Sequence, residues 1–438
     1  MKWRKWTALL LTVAMLLGLT ACGVAQSFTT DKLSVWIWDE NQLETLETAA
    51  AEWTEKTHIE VKFTVKDRES YWTEVEKGVL PDILWVDSAH APLYGENGTL
   101  LQLDDLLQAG KSIRLKDYNA QTTELFQQDG HTYAIPKDSL VTALWYNKAL
   151  FDSLSLSYPD ETWTWETLYE TAKKLTNRHN GYYGIVIAPD DLGDGWYNLV
   201  CSYGGAMLKT DENGTVVSGW ADEETVNAMK LLGQIIADCM PSQPTMAQLE
   251  GEELFSDGRV AMILQNSEEA MALTGQTGSN HWACAVLPYC DRDGDGAWGK
   301  GERVSVLEGN GWAISARCSD SAAAFSLLET LCGKKTQNSL ASLGGAQSAY
   351  TAAGEQWVSE VEGVDLSAYS TTLRDSALIP APRQLSGESW LDHALETTLY
   401  TAWNDPGRME TMLRQQQSYT DADLQGRQQP VEDEAAEG

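Results

Sequence analysis

Leu33-Ser-Val-Trp-Ile-Trp38 opens a stretch, running to Val65, that settles the fold class. Leu33, Val35 and Ile37 alternate to one side, the period of a strand. From Leu43 the apolar residues Leu46, Ala50 and Trp53 recur at the spacing of one helix face. Ile59, Val61, Phe63 and Val65 then alternate again. A strand, a helix of about a dozen residues and a second strand make a βαβ unit with parallel strands. The pattern continues outward. Pro81-Asp-Ile-Leu-Trp-Val-Asp87 is a buried strand, Val141 to Tyr146 another, and Thr164 caps a helix with Leu168, Ala172 and Leu175 on one face. Tyr183 to Ile187, Trp282 to Pro288, Val304 to Leu307 and Gly311 to Ser315 read as strands. Trp196 to Tyr203, Thr225 to Asp238, Ser321 to Cys332 and Trp390 to Trp403 read as helices. The chain is therefore α/β with parallel sheets. No Gly/Pro/Ser-rich linker divides it into sequential halves, which fits lobes between which the chain crosses several times.

Composition narrows the class. Lys2, Arg4 and Lys5 precede the apolar run Ala8 to Leu19, which is too short to span a bilayer comfortably. This is an export signal over 1–21, and the following Leu19-Thr-Ala-Cys22 resembles the lipobox of bacterial lipoproteins. The resemblance implies cleavage before Cys22, a diacylglyceryl group on its sulfur with a palmitate-type acyl anchor, and a tether over 22–30. Each buried acyl methylene adds about 0.8 kcal/mol of membrane affinity. The expected location is extracytoplasmic, at the outer face of the cell membrane. The net charge is -33; Lys2, Arg4 and Lys5 are the charged residues before Cys22, so cleavage takes it to -36. Such a charge repels nucleic acid and excludes that class of partner. The tail 425–438 is polar and acidic and reads as disordered.

Six cysteines remain after Cys22: Cys201, Cys239, Cys284, Cys290, Cys318 and Cys332. An exported chain permits up to three disulfides among them, while buried free thiols are the alternative. No Cys-x-x-Cys pair or zinc spacing occurs. The 18 tryptophans are the oddity of the composition. Most, Trp53 and Trp165 among them, are expected in cores. Others sit beside polar clusters, as in Trp38-Asp-Glu-Asn41, Trp85-Val-Asp-Ser88 and Asp194-Gly-Trp-Tyr197. A flat apolar face with one N–H donor suits a ligand that has both C–H faces and hydroxyls, such as a sugar.

Several motifs together resemble the extracellular solute-binding proteins of ABC importers, of the bacterial family 1 type that includes maltose-binding protein and many oligosaccharide-binding lipoproteins. They are the opening strand and helix, Pro81-Asp-Ile-Leu-Trp-Val-Asp87, Gly130-His-Thr-Tyr-Ala-Ile-Pro136 with Leu144-Trp-Tyr-Asn-Lys148, Trp163-Thr-Trp-Glu-Thr-Leu168, Gly258-Arg-Val-Ala-Met262 and Gly309-Asn-Gly-Trp-Ala-Ile-Ser315. The resemblance covers nearly all of Leu33 to Trp403. It implies a periplasmic-binding-protein-like type II fold: two lobes, a hinge and an interlobe ligand cleft. By the same analogy the N-terminal lobe holds 27–137 and 282–346, and the C-terminal lobe 138–281 and 347–424. Ligands of open α/β sheets bind beyond the carboxyl ends of strands, where the clusters after Trp38 and Val86 lie. The implied ligand-binding residues are Trp38, Asp39, Glu40, Asp87, Ser88 and His90 from the first lobe. Asp138 precedes the second lobe's first strand; Trp196 and Tyr197 offer an aromatic wall; Gln265 and Asn266 follow a strand; Trp390 matches a stacking position.

Asp291-Arg-Asp293-Gly-Asp295-Gly296-Ala297-Trp-Gly-Lys-Gly-Glu302 fits the twelve-residue EF-hand pattern at every ligand position. Asp291, Asp293, Asp295, the Ala297 carbonyl and Glu302 would hold calcium as a structural clip. Both flanks read as strands, and Trp298 takes a place usually held by a branched aliphatic, so a solvent-exposed acidic hairpin tip is the alternative.

The expected function is capture of an extracellular carbohydrate, an oligosaccharide by preference, by lobe closure and its delivery as a monomer to the membrane subunits of an ABC permease, with no catalysis and no required cofactor. The consecutive charges near Trp38 leave open a cationic solute such as a polyamine. An exported carbohydrate-active enzyme would need two carboxylates at fixed separation, and no Gly-x-Ser-x-Gly nucleophile motif is present. A receptor subunit reporting to a sensor kinase is the remaining alternative.

Overall fold

The computed structural model describes residues 28–110, 112–188, 192–193, 195–246, 251–270, 273, 281–299, 301–344, 346–354, 357, 360–361, 363–382, 390–394, 399–400 and 404–428. The export segment, Cys22 and the tether up to residue 27 lie outside them, as do residues 429–438.

In the first lobe β1 (Lys32–Ile37) leads through α1 (Leu43–Thr57) to β2 (Glu60–Val65), and α2 (Arg68–Glu76) to β3 (Ile83–Asp87). α1 buries Leu46, Ala50 and Trp53, the stripe its spacing foretells. α3 (His90–Glu96) follows, and β4 (Ala134–Pro136) ends the first passage. β1 pairs β2 and β3 in parallel. The signature around Gly130 is a tight hairpin: Asp129 and Gly130 take φ of 52° and 81°, the left-handed pair that a two-residue turn between strands requires.

The second lobe begins with β5 (Thr142–Asn147), buried along its whole length. α4 (Trp165–Leu175), capped by Thr164 through its hydroxyl to Thr167 N (3.1 Å), is followed by α5 (Tyr197–Ser202) and α6 (Glu223–Cys239). β6 (Met262–Asn266) and β7 (Trp282–Ala285) flank β5 on either side, both antiparallel. Tyr183 and Val186 make parallel bridges to Val260 and Ile263, in place of the regular strand expected there. β8 (Val304–Leu307) pairs in parallel with Ala377–Pro380 and packs on α5. β9 (Asn310–Ile314) then returns to the first lobe, giving the order β2-β1-β3-β9-β4. α7 (Ser321–Leu331) and α8 (Lys334–Ala341) pack on α1. α9 (Ser367–Asp375) lies on β5, and α10 (Met409–Gln428) on α6.

Three expectations are corrected. The sheets are mixed: β9 is antiparallel to β3 and β4, and the second-lobe strands β5 to β7 are antiparallel. A strand that arrives from the other lobe through a hinge is not bound to the crossover geometry that makes neighbours parallel. Residues 282–307 belong to the second lobe, not the first. β7 completes its sheet, and Leu287, Cys290, Val304 and Val306 join its core beside Leu144, Trp165 and Leu264. The chain regains the first lobe only at Glu308–Asn310. Helix α10 runs to Gln428, past the expected start of the tail at 425. All six cysteines after Cys22 are free thiols, four of them buried. Trp53 and Trp165 are core residues as expected, 5% and 0% exposed.

The hinge consists of three backbone segments. Lys137 N donates to Asn310 O (2.7 Å), Leu140 and Glu308 exchange both backbone bonds (2.9 and 3.1 Å), and Ala349 N donates to Lys137 O (3.0 Å). Asp138 and Ser139 pair with Ser348 and Gln347. The Gly309-Asn-Gly motif follows from this crossing: a Cβ on Gly309 would stand 2.7 Å from the Asp138 carbonyl oxygen, and one on Gly311 2.9 Å from the Phe126 ring. We expect Gly309→Ala to destabilise the protein by about 1–3 kcal/mol through overpacking, read as a lower urea midpoint with an unchanged m value.

Candidate functional site

Loop ends at the carboxyl edge of the first-lobe sheet make one side of the site. β1 delivers Trp38, whose half-buried ring meets Tyr71 and Trp85 edge-on at 5.3 and 5.2 Å. Asp39 caps the turn Glu40–Gln42: its carboxylate accepts from Asn41 N (2.9 Å) and Gln42 Nε2 (2.8 Å). Asp67 caps α2 through Ser70 N (2.9 Å) and so fixes Arg68 in its first turn. The Arg68 guanidinium lies 4.9 Å from the Trp38 ring centre. From the other lobe, Asn266 at the end of β6 accepts from Glu268 N (2.7 Å) and Glu269 N (3.3 Å), turning the chain so that Glu268 faces the first lobe. Trp38, Asp39, Asn41, Gln42, Arg68, Glu268, Glu269, Leu343, Gly344 and Ala346 enclose a cavity of about 450 Å³, within the range of small-molecule sites.

Glu268 crosses the gap. Its Oε1 accepts from Trp38 Nε1 and from Asn310 Nδ2, both at 3.2 Å, and its Oε2 from Arg68 Nη2 at 2.7 Å. All three donors come from first-lobe elements, the acceptor from the second lobe.

Beside this cavity lies an aromatic and charged pair. The His90 ring stacks on Trp72 with centres 4.0 Å apart, and its Nδ1 contacts both Asp87 oxygens at 2.7 and 2.9 Å. Burial pushes the Asp87 carboxyl up, but the charge and hydrogen bonds of His90, with the more distant Arg68, outweigh it and hold the group below its ordinary 3.8. Burial first, then the carboxylates of Glu76 and Asp87, push the Tyr94 phenol up to about 12.

The residues read from the sequence end in different places. Trp38 and Asp39 line the cavity, and Asn266 positions its wall. Glu40 is exposed on the capped turn, outside the lining. Asp87 and His90 form the neighbouring pair. Ser88 and Asp138 belong to the hinge: Ser88 N donates to Gly309 O (2.9 Å), and Asp138, 2% exposed, pairs with Lys137 and accepts from Asn310 N (2.8 Å). Gln265 is buried on β6, its carbonyl accepting from the Tyr369 hydroxyl (3.0 Å). Trp196 and Tyr197 are a correction. They are 0% and 3% exposed, Trp196 packs on Trp220 with ring centres 6.0 Å apart, and both sit in the second-lobe core rather than on a cleft wall. Helix α5 is buried along its whole length, so neither face is available to a ligand. Trp390 starts the helical segment Trp390–His393; its side chain lies outside the described part of the molecule. Arg68, Glu268, Glu269 and Gln42 went unread, and Asn41 was noted only as part of the polar cluster after Trp38. The cue for Glu268 was the run Ser267-Glu-Glu269 directly after a strand ending in Gln-Asn.

In the acidic loop, Asp291, Asp293 and Glu302 bring carboxylate oxygens within 4.8 Å of one another. Asp295 instead accepts from Ala297 N (2.8 Å). Glu302, 6% exposed, accepts from Arg292 N (3.0 Å). The flanking strands β7 and β8 pair with different partners, so the loop is not the tip of a hairpin.

Two α/β lobes, a three-segment hinge and a polar cavity between the lobes define a two-lobe binding protein. The chain belongs to the family described as bacterial extracellular solute-binding protein, which it matches over residues 48–361. The family is extracellular, and among the described residues no helix is long and apolar enough to cross a membrane. A lactose-binding protein of Rhizobium radiobacter is 23% identical over 323 residues, 69% of each chain. Among solved structures, the ABC substrate-binding protein Lmo0181 of Listeria monocytogenes, in complex with cycloalternan, superposes with a TM-score of 0.76 at 19% identity, covering 91% of this chain and 100% of its own. The cyclic alpha-maltosyl-1,6-maltose binding protein of Arthrobacter globiformis gives 0.70 at 17% identity, with 91% and 100% covered.

A depressed folded-state carboxyl contributes stability that is present above its unfolded value and lost as pH falls through the folded one. Asp87 follows that sign. Its contribution is complete above about pH 4, the ordinary carboxylate value, and is lost on further acidification. Asp87→Asn should therefore flatten the acid limb of a Tm-versus-pH curve; an unchanged limb would show that the pair is not coupled to folding.

Proposed function

We propose that this protein is the solute-binding component of an ABC importer, that its solute is a carbohydrate, an oligosaccharide by preference, and that it captures the sugar between its lobes and releases it unchanged to permease subunits. The observation that carries the reading is the interlobe cavity, which joins the half-buried edge of Trp38 to the carboxylates of Asp39, Glu268 and Glu269. A tryptophan supplies an apolar face, and ionised carboxylates accept the stronger hydrogen bonds from hydroxyls. The sugars for which the relatives are named, lactose, cycloalternan and cyclic maltosyl-maltose, support the same class. The solute touches both lobes only when they are shut, so bound solute favours the closed state.

A neutral solute is favoured over a polyamine. Arg68 already answers Glu268 at 2.7 Å, and Asp39 is occupied in capping its own turn, so the cavity offers a dication less charge than its composition suggests. The family consists of binding proteins, which favours stoichiometric capture over hydrolysis. The anchor at Cys22 keeps the monomeric protein beside its permease, read from the lipobox resemblance. The acidic loop takes a structural calcium ion through Asp291, Asp293 and Glu302, with Asp295 and the Ala297 carbonyl completing the set. The twelve-residue spacing and the folded proximity of three of these groups support that role.

Calorimetry against an oligosaccharide panel should give one-to-one binding with no product by chromatography, and little change in affinity between low and high salt. Trp38→Ala should weaken it by about tenfold to a hundredfold, the usual loss for an aromatic anchor. Tight binding of spermidine that collapses with salt would instead establish the cationic reading. Calcium at a hundredfold excess over its Kd should raise stability by about 2.7 kcal/mol, and Asp291→Asn with Glu302→Gln should abolish the rise. An equal melting temperature with calcium and with chelator refutes the clip.

A further inference from the structure

We infer that Glu268 is the latch that holds the lobes shut in the absence of solute, so that closure is set by a charged contact which a sugar must take over rather than create. The inference rests on reading the chain as a two-lobe capture protein and adds how its site is regulated.

The geometry carries it. A single second-lobe carboxylate accepts hydrogen bonds from three first-lobe elements: Trp38 after β1, Arg68 at the start of α2 and Asn310 at the start of β9. It is not a core ion pair. The Glu268 side chain is 18% exposed and Arg68 50%, so water reaches both partners and the contact can break without stranding a buried charge. Its position is not left to chance, because Asn266 holds the backbone N–H of Glu268 at 2.7 Å and ends a strand in the middle of the second-lobe core. The three donors are equally fixed. Trp38 is wedged against Tyr71 and Trp85, Asp67 anchors the first turn carrying Arg68, and Asn310 is 1% exposed in the hinge. Asn310 also contacts Asp138, which belongs to the crossing strands themselves. The latch is therefore wired to the hinge through one residue.

Trp38, Arg68 and Glu268 also line the cavity, and Asn310 stands behind Glu268. A sugar entering it meets donors whose acceptor is Glu268 and an acceptor whose donors are Trp38, Arg68 and Asn310. Hydroxyls both donate and accept, so they insert into this exchange without leaving a polar group unpaired. A solute with donors alone satisfies Glu268 but not Arg68. The latch thus shifts the open–closed equilibrium before binding and filters for polyhydroxylated solutes at binding.

The test is small-angle X-ray scattering of the purified protein with no sugar present, at low and at 1 M salt. Wild-type protein should be compact at low salt and expand at high salt. Glu268→Ala should lower the closed-to-open ratio by about tenfold to a hundredfold, the worth of a charge-assisted contact, and be expanded at both salts. Glu268→Gln keeps an acceptor for Trp38 but loses the charge. It should fold like the wild type and lose the salt response, and adding Arg68→Ala to it should expand it no further. Superimposable scattering of wild type and Glu268→Ala at low salt, with matching melting curves, overturns the latch. So does a salt response that Glu268→Gln retains. Because no sugar enters the experiment, a wrong ligand class leaves its outcome unchanged.

Discussion

The molecule depends on how three strands cross between its lobes. Each crossing places backbone N–H and C=O groups in a narrow waist where water has little access, and each must find a partner. The pairing of 138–140 with 308 and 347–348 supplies the backbone partners. Lys137 and Asp138, 4% and 2% exposed, supply the charged ones. The Lys137 ammonium also lies 4.4 Å from the Trp85 ring centre. A pair this buried contributes little net stability compared with apolar packing, but removing either member strands the other. Its effect is to specify one register for the crossing. That register sets where Asn310 stands, and through it where the two lobes meet.

The fold was largely legible because its signals are local. The alternation puts Leu33, Val35 and Ile37 into one core while Trp36 packs into another on the opposite face, and the stripe Leu46, Ala50 and Trp53 buries one side of its helix. Thr164 acts through its own side chain and needed no tertiary information. Strand direction was not local. Nothing in Asn310–Ile314 distinguishes a strand reached by a crossover helix from one reached through a hinge. The same holds for Trp282–Ala285, whose lobe is decided by its partner Thr142–Asn147.

The site was legible only in part, for a related reason. Trp38 and Asp39 announce themselves by lying just past a strand end, where α/β sheets place ligands. Trp196 and Tyr197 carried a similar polar setting in Asp194-Gly-Trp-Tyr, but their helix is buried on every side, and its polar members Asn198 and Ser202 spend their hydrogen bonds inside the lobe. Asp138 and Ser88 were read as ligand contacts because they too end or begin strands; the hinge uses those ends for its own hydrogen bonds. Arg68 and Glu268 are 200 residues apart, and neither lies in a distinctive motif. Their meeting is a product of the two lobes' approach, which no window of sequence contains.

That approach also explains why the interlobe contact is polar. Two apolar faces would close well, but opening them would expose that area to water at about 25 cal/mol per Å², and repeated release would be costly. A carboxylate shared among an indole, a guanidinium and an amide can exchange its partners for water or hydroxyls at a cost of about 1.5–3 kcal/mol, because each donor finds a new partner on the open side. The apolar contacts are kept where nothing must separate, in the cores around Trp165 and Trp312 and beneath the aromatic platform of Tyr71 and Trp85. The proposed capture between lobes requires this division of labour. Surface that must part is hydrogen-bonded and half wet, and surface that must hold is dry.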